Sequence, residues 1–282
     1  MPGDDDLAAI VARCAAGALP ANVALMQMIL AADAHASIDA ALAGGPAALR
    51  ALWRDHAGAF GRLREVARCA DAPASGDIAA HWAAVFDAAA QLSPQAGAAL
   101  YALDDAALLA RATAEIVAYL EAEALLGPDS VVLDFGCGAG RVAAALAPRV
   151  RRVHAVDVSA VMALRAREAC AGSSHVTVDH VSGRALIPCS DGAYDLVLAV
   201  DSFPYLIAAD GALARDMLRE FARVLAPRGV GVIMNFSYRG DPAQDLADCR
   251  AWGVEAGFSP CPDPLHPFTL WDAMVYRVER KW

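Results

Sequence analysis

Apolar positions along the chain follow two patterns that change near residue 130. Before that point they recur at three- and four-residue spacing, as on a helix with one buried face. Helices are predicted over residues 6–19, over 20–42 from a Pro20-Ala21-Asn22 start, and over 47–69, with Gly44-Gly45-Pro46 separating the last two. The third carries Leu49, Leu52, Trp53, Phe60, Leu63 and Val66 near the helical period. A fourth follows Ser75-Gly76-Asp77, places Ile78, Trp82, Val85, Phe86 and Ala89 on one face, and stops before Ser93-Pro94. A fifth covers 104–126 and ends at Gly127-Pro128. No strand-like alternation occurs before residue 130, and the chain has no internal repeat.

From Val131 onward, short apolar runs alternate with helical stretches. Strands are predicted at 131–135, 153–157, 176–181, 195–200 and 229–236, helices at 141–149, 159–171, 213–225 and 242–256, and a last strand at 271–281. The fourth and fifth strands are nearly continuous Leu, Val, Ile and Ala, as expected of parallel strands covered on both faces. This alternation is that of a doubly wound α/β sheet, in which ligands lie beyond the carboxyl ends of the strands. The expected organisation is an all-α region over 1–128 and an α/β domain over 129–282.

Composition narrows the class. Of 282 residues, 57% are hydrophobic, and 23 basic side chains against 33 acidic ones give a net charge of −10. Intrinsic disorder is excluded by that apolar content. The acidic balance, with no Lys/Arg-rich run, disfavours a nucleic-acid partner, whose phosphates are met by basic side chains. Residues 1–128 hold 7 Arg against 15 acids, a net −8, so the acidity lies on the helical region. Seven scattered Cys without a CxxC spacing suggest neither a disulfide framework nor a zinc site, and fit a reducing, cytoplasmic compartment. Residues 1–6 are acidic where a signal peptide would be basic, and the uncharged stretch 14–32 is broken by Pro20, Asn22 and Gln27, so no membrane segment is expected.

The sharpest signal is Val131-Val132-Leu133-Asp134-Phe135-Gly136-Cys137-Gly138-Ala139-Gly140, a buried strand ending in an acid and followed by three alternate glycines that open a helix. Without Cβ atoms the backbone turns sharply and a ligand can lie against it, and the helix beyond presents unpaired N–H groups. The second strand ends in Asp157, where a carboxylate can accept both hydroxyls of a ribose. A dinucleotide-binding G-x-G-x-x-G would need glycine at 141, which is Arg141.

The D-x-G-x-G-x-G pattern with its downstream acid resembles motifs I and II of class I S-adenosylmethionine-dependent methyltransferases. Gly183-Arg184-Ala185-Leu186-Ile187-Pro188 followed by 191–197 resembles the family's adenine-side turn into strand 4, and 218–230 its helix-turn-strand step. About residues 130–260 keep the family order. The resemblance implies a seven-stranded, mostly parallel Rossmann-like sheet with an antiparallel end. It implies that Gly136, Gly138 and Gly140, with Cys137 among them, approach the methionine moiety and ribose, and that Asp134 orients the loop or meets the cofactor's ammonium. Asp157 would hold the ribose hydroxyls, and Val158 and Met162 would pack near adenine. Ser182-Gly183-Arg184 stands where many members have an adenine-binding Asp, so contacts there would come from Gly183 and Arg184 or from backbone.

For the acceptor, Asp201, in Asp201-Ser202-Phe203-Pro204-Tyr205, is a candidate contact to substrate or to the cofactor ammonium, or else a cap of the next segment; Tyr205 is a further candidate. His266, between two prolines, is the candidate imidazole base. Phe203, Tyr205, Phe236, Tyr238 and Phe268 suggest an apolar cleft wall, with Trp82, Phe86, Tyr101 and Tyr119 as lid candidates. No metal is implied, since Asn235 has no neighbouring Asp to join Asp201. The expected function is methyl transfer to a small-molecule O, N or S nucleophile; the alternative is a non-catalytic binding or scaffold protein of this fold. No nucleic-acid or membrane partner is expected, and the helical region is either an acceptor-selecting cap, a bundle core or a homodimer surface.

Overall fold

The computed structural model describes residues 7–71, 76–208 and 211–281; the acidic run 1–6 and Ser75 lie outside them. Packing divides the chain into two compact units. Among the described residues, one comprises 7–71, 88–115 and 268–272, and the other 76–87, 116–208, 211–267 and 273–281. The sequence boundary near 128 falls within the second unit. No helix among the described residues is long and apolar enough to cross a membrane.

The helices before residue 130 are α1 (Leu7–Ala15), α2 (Ala21–Ala31), α3 (His35–Leu42), α4 (Ala47–His56), α5 (Phe60–Arg68), α6 (Ile78–Leu92), α7 (Pro94–Ala98) and α8 (Ala106–Ala122). Two expected helices are each divided. The 20–42 segment breaks into α2 and α3 across extended Ala32 and Ala34, and 47–69 breaks at a 3₁₀ turn, Ala57–Ala59. Apolar content and period record burial, and neither marks a break whose flanking helices are both buried.

In the first unit α2 is the central helix, with Val23, Ala24, Leu25, Met28 and Ile29 buried. Its buried Asn22 donates to the Tyr101 and Leu270 carbonyls at 2.9 and 2.7 Å. Glu115 accepts from the Thr269 and Leu270 amides, and Trp271 stacks between Tyr101 and Phe268 at 5.4 and 5.5 Å. Residues 268–272, near the end of the chain, thus belong to the helical unit.

The second unit is a six-stranded sheet in the order β3-β2-β1-β4-β5-β6. The strands are β1 (Val131–Phe135), β2 (Arg152–Asp157), β3 (Val176–His180), β4 (Tyr194–Val200), β5 (Leu225–Met234) and β6 (Val275–Glu279). The first five pair in parallel and β6 runs antiparallel to β5. The helices of this half are α9 (Arg141–Leu146), α10 (Ala160–Ala169), α11 (Phe203–Ile207), α12 (Ala212–Val224) and α13 (Pro242–Ala256). Within β5 the register shifts between Leu225 and Val230, around Arg228 at φ 68°; this is the turn expected before the strand.

The expected seventh strand is absent among the described residues. Its place is taken by the isolated antiparallel bridges Phe258↔Arg280 and Leu265↔Val275. Pro260, Pro262, Pro264 and Pro267 punctuate that segment, and each removes an N–H that a strand ladder would need.

The strand order reverses between β1 and β4, the switch point at which the connections leave a crevice open. Phe203, Phe221, Phe236, Phe258 and Tyr276 fill the core on the α12–α13 side. Phe203 and Phe236 are therefore core side chains rather than cleft wall, and Phe268 packs in the helical unit.

Candidate functional site

Three acids end adjacent strands at the switch point: Asp134 in β1, Asp157 at the end of β2 and Asp201 just after β4. Between the first two runs the glycine loop. The Gly136 and Cys137 amides both donate to the Val156 carbonyl, at 2.9 and 3.0 Å, and the Gly140 amide to the Cys137 carbonyl. Gly136, Gly138 and Gly140 have φ of 70°, 53° and 83°, values that only glycine adopts without strain. Their surroundings differ. A Cβ at Gly136 would stand 2.3 Å from the Ser202 Cβ, and one at Gly140 2.9 Å from the Ala166 Cα and Cβ, whereas Gly138 faces open space. Two glycines thus permit packing, and Gly138 leaves the backbone accessible to a ligand. The Cys137 side chain is buried and turned to the loop's own Gly138 carbonyl, so this residue offers a ligand its backbone alone.

Asp157 accepts the Gly138 amide on Oδ2 at 2.7 Å and the Ser159 amide on Oδ1 at 2.8 Å. A carboxylate has about four acceptor positions, so capacity for two further hydroxyls remains. Burial pushes its carboxyl up to about 6 against the pull of those two amides. Asp134 is 1% exposed and its Oδ2 has no hydrogen-bond partner. Burial pushes this carboxyl up to about 7, with Arg141 opposing and Asp157 adding to the rise. An unsatisfied buried acceptor is costly, and two neighbouring buried acids favour a cationic ligand.

Beyond β2, the Ser159 side chain caps α10 by accepting from the Met162 amide and donates to Asp87 Oδ1 at 2.5 Å; the Val161 amide also reaches Asp87. Met162 is buried and Val158 half-buried. Gly183 is close-packed: a Cβ there would lie 3.0 Å from Val158 Cγ2 and 3.2 Å from Ala79 Cβ. Arg184 is exposed and forms a 2.7 Å ion pair with Asp77, which in turn accepts from the Ala79 amide at the start of α6. The first half of α6 is thereby tied to the β2 end through Asp87 and to the β3–β4 loop through Asp77. The sequence marks Asp77 only as a helix start and gives no sign of Asp87, because neither acid carries a local signal of its distant partner.

The acceptor-side candidates converge at the ends of β4 and β5. Asp201 and Asn235 both take left-handed φ, 56° and 69°, a costly conformation that clusters at functional sites. Asn235 Nδ2 and the Tyr238 hydroxyl both donate to Asp201 Oδ1, at 2.8 and 2.9 Å. The Tyr205 and Tyr238 hydroxyls lie 3.1 Å apart. Burial and the Asp201 charge push the Tyr205 phenol above its ordinary range. Trp82 and Phe86, from α6, meet the Tyr205 ring at 4.7 and 4.9 Å. The Trp82 Nε1 is buried without a hydrogen-bond partner.

His266 is exposed in the proline-rich segment, and the structure does not bring it into the hydrogen-bonded cluster of Asp201, Asn235, Tyr205 and Tyr238. His154 is buried between Tyr194 and Asp179, and His175 bonds the Ala147 carbonyl. Tyr101 is buried in the helical unit. No group of three His, Cys, Asp or Glu among the described residues could hold a metal ion.

Known proteins resemble the chain over these same elements. Residues 132–229, from β1 into β5, match a family model described as a methyltransferase domain. Nodulation protein S of Sinorhizobium fredii is 30% identical over 131 residues, 46% of this chain and 55% of that protein. The chain thus spans about half the length of the curated relative it matches. Among solved structures, magnesium protoporphyrin IX methyltransferase of Synechocystis PCC 6803, with S-adenosylmethionine bound, aligns over 61% of this chain and 79% of its own at 23% identity and a TM-score of 0.47. The N-methyltransferase NodS of Bradyrhizobium japonicum WM9, in complex with S-adenosylhomocysteine, aligns over 60% of this chain and 85% of its own at 19% identity and a TM-score of 0.47.

Proposed function

We propose that the chain is a class I S-adenosylmethionine-dependent methyltransferase, a reading supported by the methyltransferase-domain match over residues 132–229 and the likeness to nodulation protein S, and that it transfers a methyl group to an O, N or S nucleophile of a small molecule. S-adenosylmethionine is the cofactor, and when bound it supplies an electrophilic methyl on a sulfonium. The observation that carries the reading is Asp157 bonded to the Gly138 amide at 2.7 Å beside the open side of that glycine.

The residues fit the group. The unpartnered Oδ2 of Asp134 meets the need of an ammonium or sulfonium for a buried negative partner. Asp157 has acceptor capacity left for a ribose diol, and Val158 and Met162 offer apolar contact to an adenine. Gly136, Gly138 and Gly140 let the loop backbone lie against the ligand. The chain's part in an in-line displacement is to align the acceptor, exclude water and receive a proton. Asp201 and Tyr205 serve the acceptor end, with α6 above them through Trp82 and Phe86.

Calorimetry with S-adenosylmethionine and with NAD tests the cofactor. Binding of the first and none of the second is expected, and the reverse overturns the proposal. Methyl transfer from labelled S-adenosylmethionine to a metabolite extract separates an enzyme from a scaffold of the same fold. His266→Ala in that assay decides whether an imidazole takes part.

A further inference from the structure

The charge and hydrogen-bond order around Asp201 bear on which nucleophile the site accepts, an inference that rests on the methyl-transfer reading above. Tyr238 gives its only hydroxyl proton to Asp201 Oδ1 at 2.9 Å, so the 3.1 Å contact with Tyr205 must run from the Tyr205 hydroxyl to the Tyr238 oxygen. Asn235 donates to the same Oδ1 at 2.8 Å. Three rings stand around Tyr205: Trp82 at 4.7 Å, Phe86 at 4.9 Å and Tyr238 at 5.6 Å. Arg184 is paired with Asp77, and Arg239 with Asp245 and Asp248.

Nucleophile classes differ in the sign of charge they bring. An alcohol, phenol or thiol gives up its proton as it reacts, and a carboxylate that takes this proton is left with no positive charge on the nucleophile to balance. An amine attacks neutral and becomes cationic, which a carboxylate and aromatic faces both favour. The buried Trp82 Nε1 adds a second demand, since an unpaired indole N–H calls for an acceptor atom on a ligand.

We infer that the acceptor is a small amine that also carries a hydrogen-bond-accepting oxygen, its nitrogen held at Asp201 beside the Tyr205–Tyr238 pair and its oxygen accepting from Trp82. The nitrogen lone pair forms the new N–C bond, the C–S bond breaks with its electron pair left on sulfur, and positive charge passes to nitrogen. One N–H proton then leaves to the Asp201 carboxylate and on to water. Asn235 and Tyr238 are positioning residues that aim that carboxylate.

The test uses the full chain and a matched set, 2-phenylethylamine, 2-phenylethanol and 2-phenylethanethiol, with 2-amino-1-phenylethanol added for the oxygen. Binding is measured by calorimetry with S-adenosylhomocysteine present, and transfer with labelled cofactor. The amine should bind and react at least tenfold better than the alcohol or thiol, and the amino alcohol better still. Asp201→Asn keeps a side chain that tolerates left-handed backbone; it should lower amine binding at least tenfold, hold S-adenosylhomocysteine affinity within threefold and flatten the pH profile of amine transfer. Trp82→Phe should erase the advantage of the amino alcohol alone. Equal or better use of the alcohol or thiol, or no amine binding while S-adenosylhomocysteine binds normally, overturns this inference and leaves the methyl-transfer reading standing. Loss of S-adenosylhomocysteine binding in the unaltered protein overturns the reading beneath it instead.

Discussion

The Asp157 carboxylate holds the Gly138 amide at 2.7 Å and so joins the end of β2 to the turn after β1. The same carboxylate grips the Ser159 amide with its other oxygen, and Ser159 caps α10. One buried acid thereby sets the loop, the strand end and a helix start together. A carboxylate held by the protein's own hydrogen bonds costs less to order when a nucleoside binds.

Asp157→Ala should lower S-adenosylmethionine affinity by ten- to a hundredfold. It also leaves two backbone donors without their partner, at about 1–3 kcal/mol for a buried group. Calorimetry reads the affinity and urea unfolding the stability; affinity retained within twofold would contradict the assigned role.

The pH dependence follows from the two buried acids. Asp134 and Asp157 have carboxyls raised in the folded state to about 7 and about 6. The folded protein therefore holds these protons more tightly than the unfolded chain. Their contribution to stability is full below about pH 4 and is lost as pH rises through 6 to 7, at about 1.4 kcal/mol for each tenfold difference in proton affinity between the folded and unfolded chain. Affinity for a cationic cofactor runs the opposite way and should increase from pH 5.5 to 8 as Asp134 ionises. In Asp134→Asn both slopes should flatten, as read by urea melts and calorimetry across that range.

Two glycines of one loop should fail differently. Gly136→Ala meets the Ser202 Cβ at 2.3 Å and a left-handed φ, so a stability loss of about 2–5 kcal/mol is expected from strain and overpacking together. Gly138→Ala has the strain without the clash, about 1–2 kcal/mol, yet its methyl enters the space open to a ligand. Thermal melts should rank Gly136→Ala as the less stable protein, while cofactor binding falls at least tenfold in Gly138→Ala.

In the helical unit, Asn22→Ala deprives the Tyr101 and Leu270 carbonyls of their donor. A loss of about 1–3 kcal/mol is expected for the buried groups left unpaired. Hydrogen exchange should show residues 268–272 opening faster, with the sheet strands unchanged.

Legibility in the sequence followed how local each feature is. The bounds of β1 and α13 coincide with the residues expected from apolar runs and a Pro start, because a parallel strand is apolar throughout and proline suits a first helical turn. The motif acids and glycines were readable because the turn after β1 demands positive φ at defined spacings. The seventh strand was not, since the family order outweighed the four prolines that forbid it. Nor was the division of the 20–42 helix, where α2 is buried on nearly all sides and so leaves no break in the apolar pattern at Ala32–Ala34.

The sequence by itself determined the α/β class, the helical first half, the glycine loop and the two acids that flank it. Only the tertiary structure decided that Asp87 serves the start of α10, that residues 268–272 pack with Asn22 and Glu115, and that Asn235 and Tyr238 aim Asp201. The reason is separation along the chain: Asn22 and Leu270 are 248 residues apart, and Ser159 and Asp87 are 72 apart. Hydrophobic period and turn chemistry are local properties, whereas the partner of a lone polar side chain is set by which distant backbone the packed elements bring beside it.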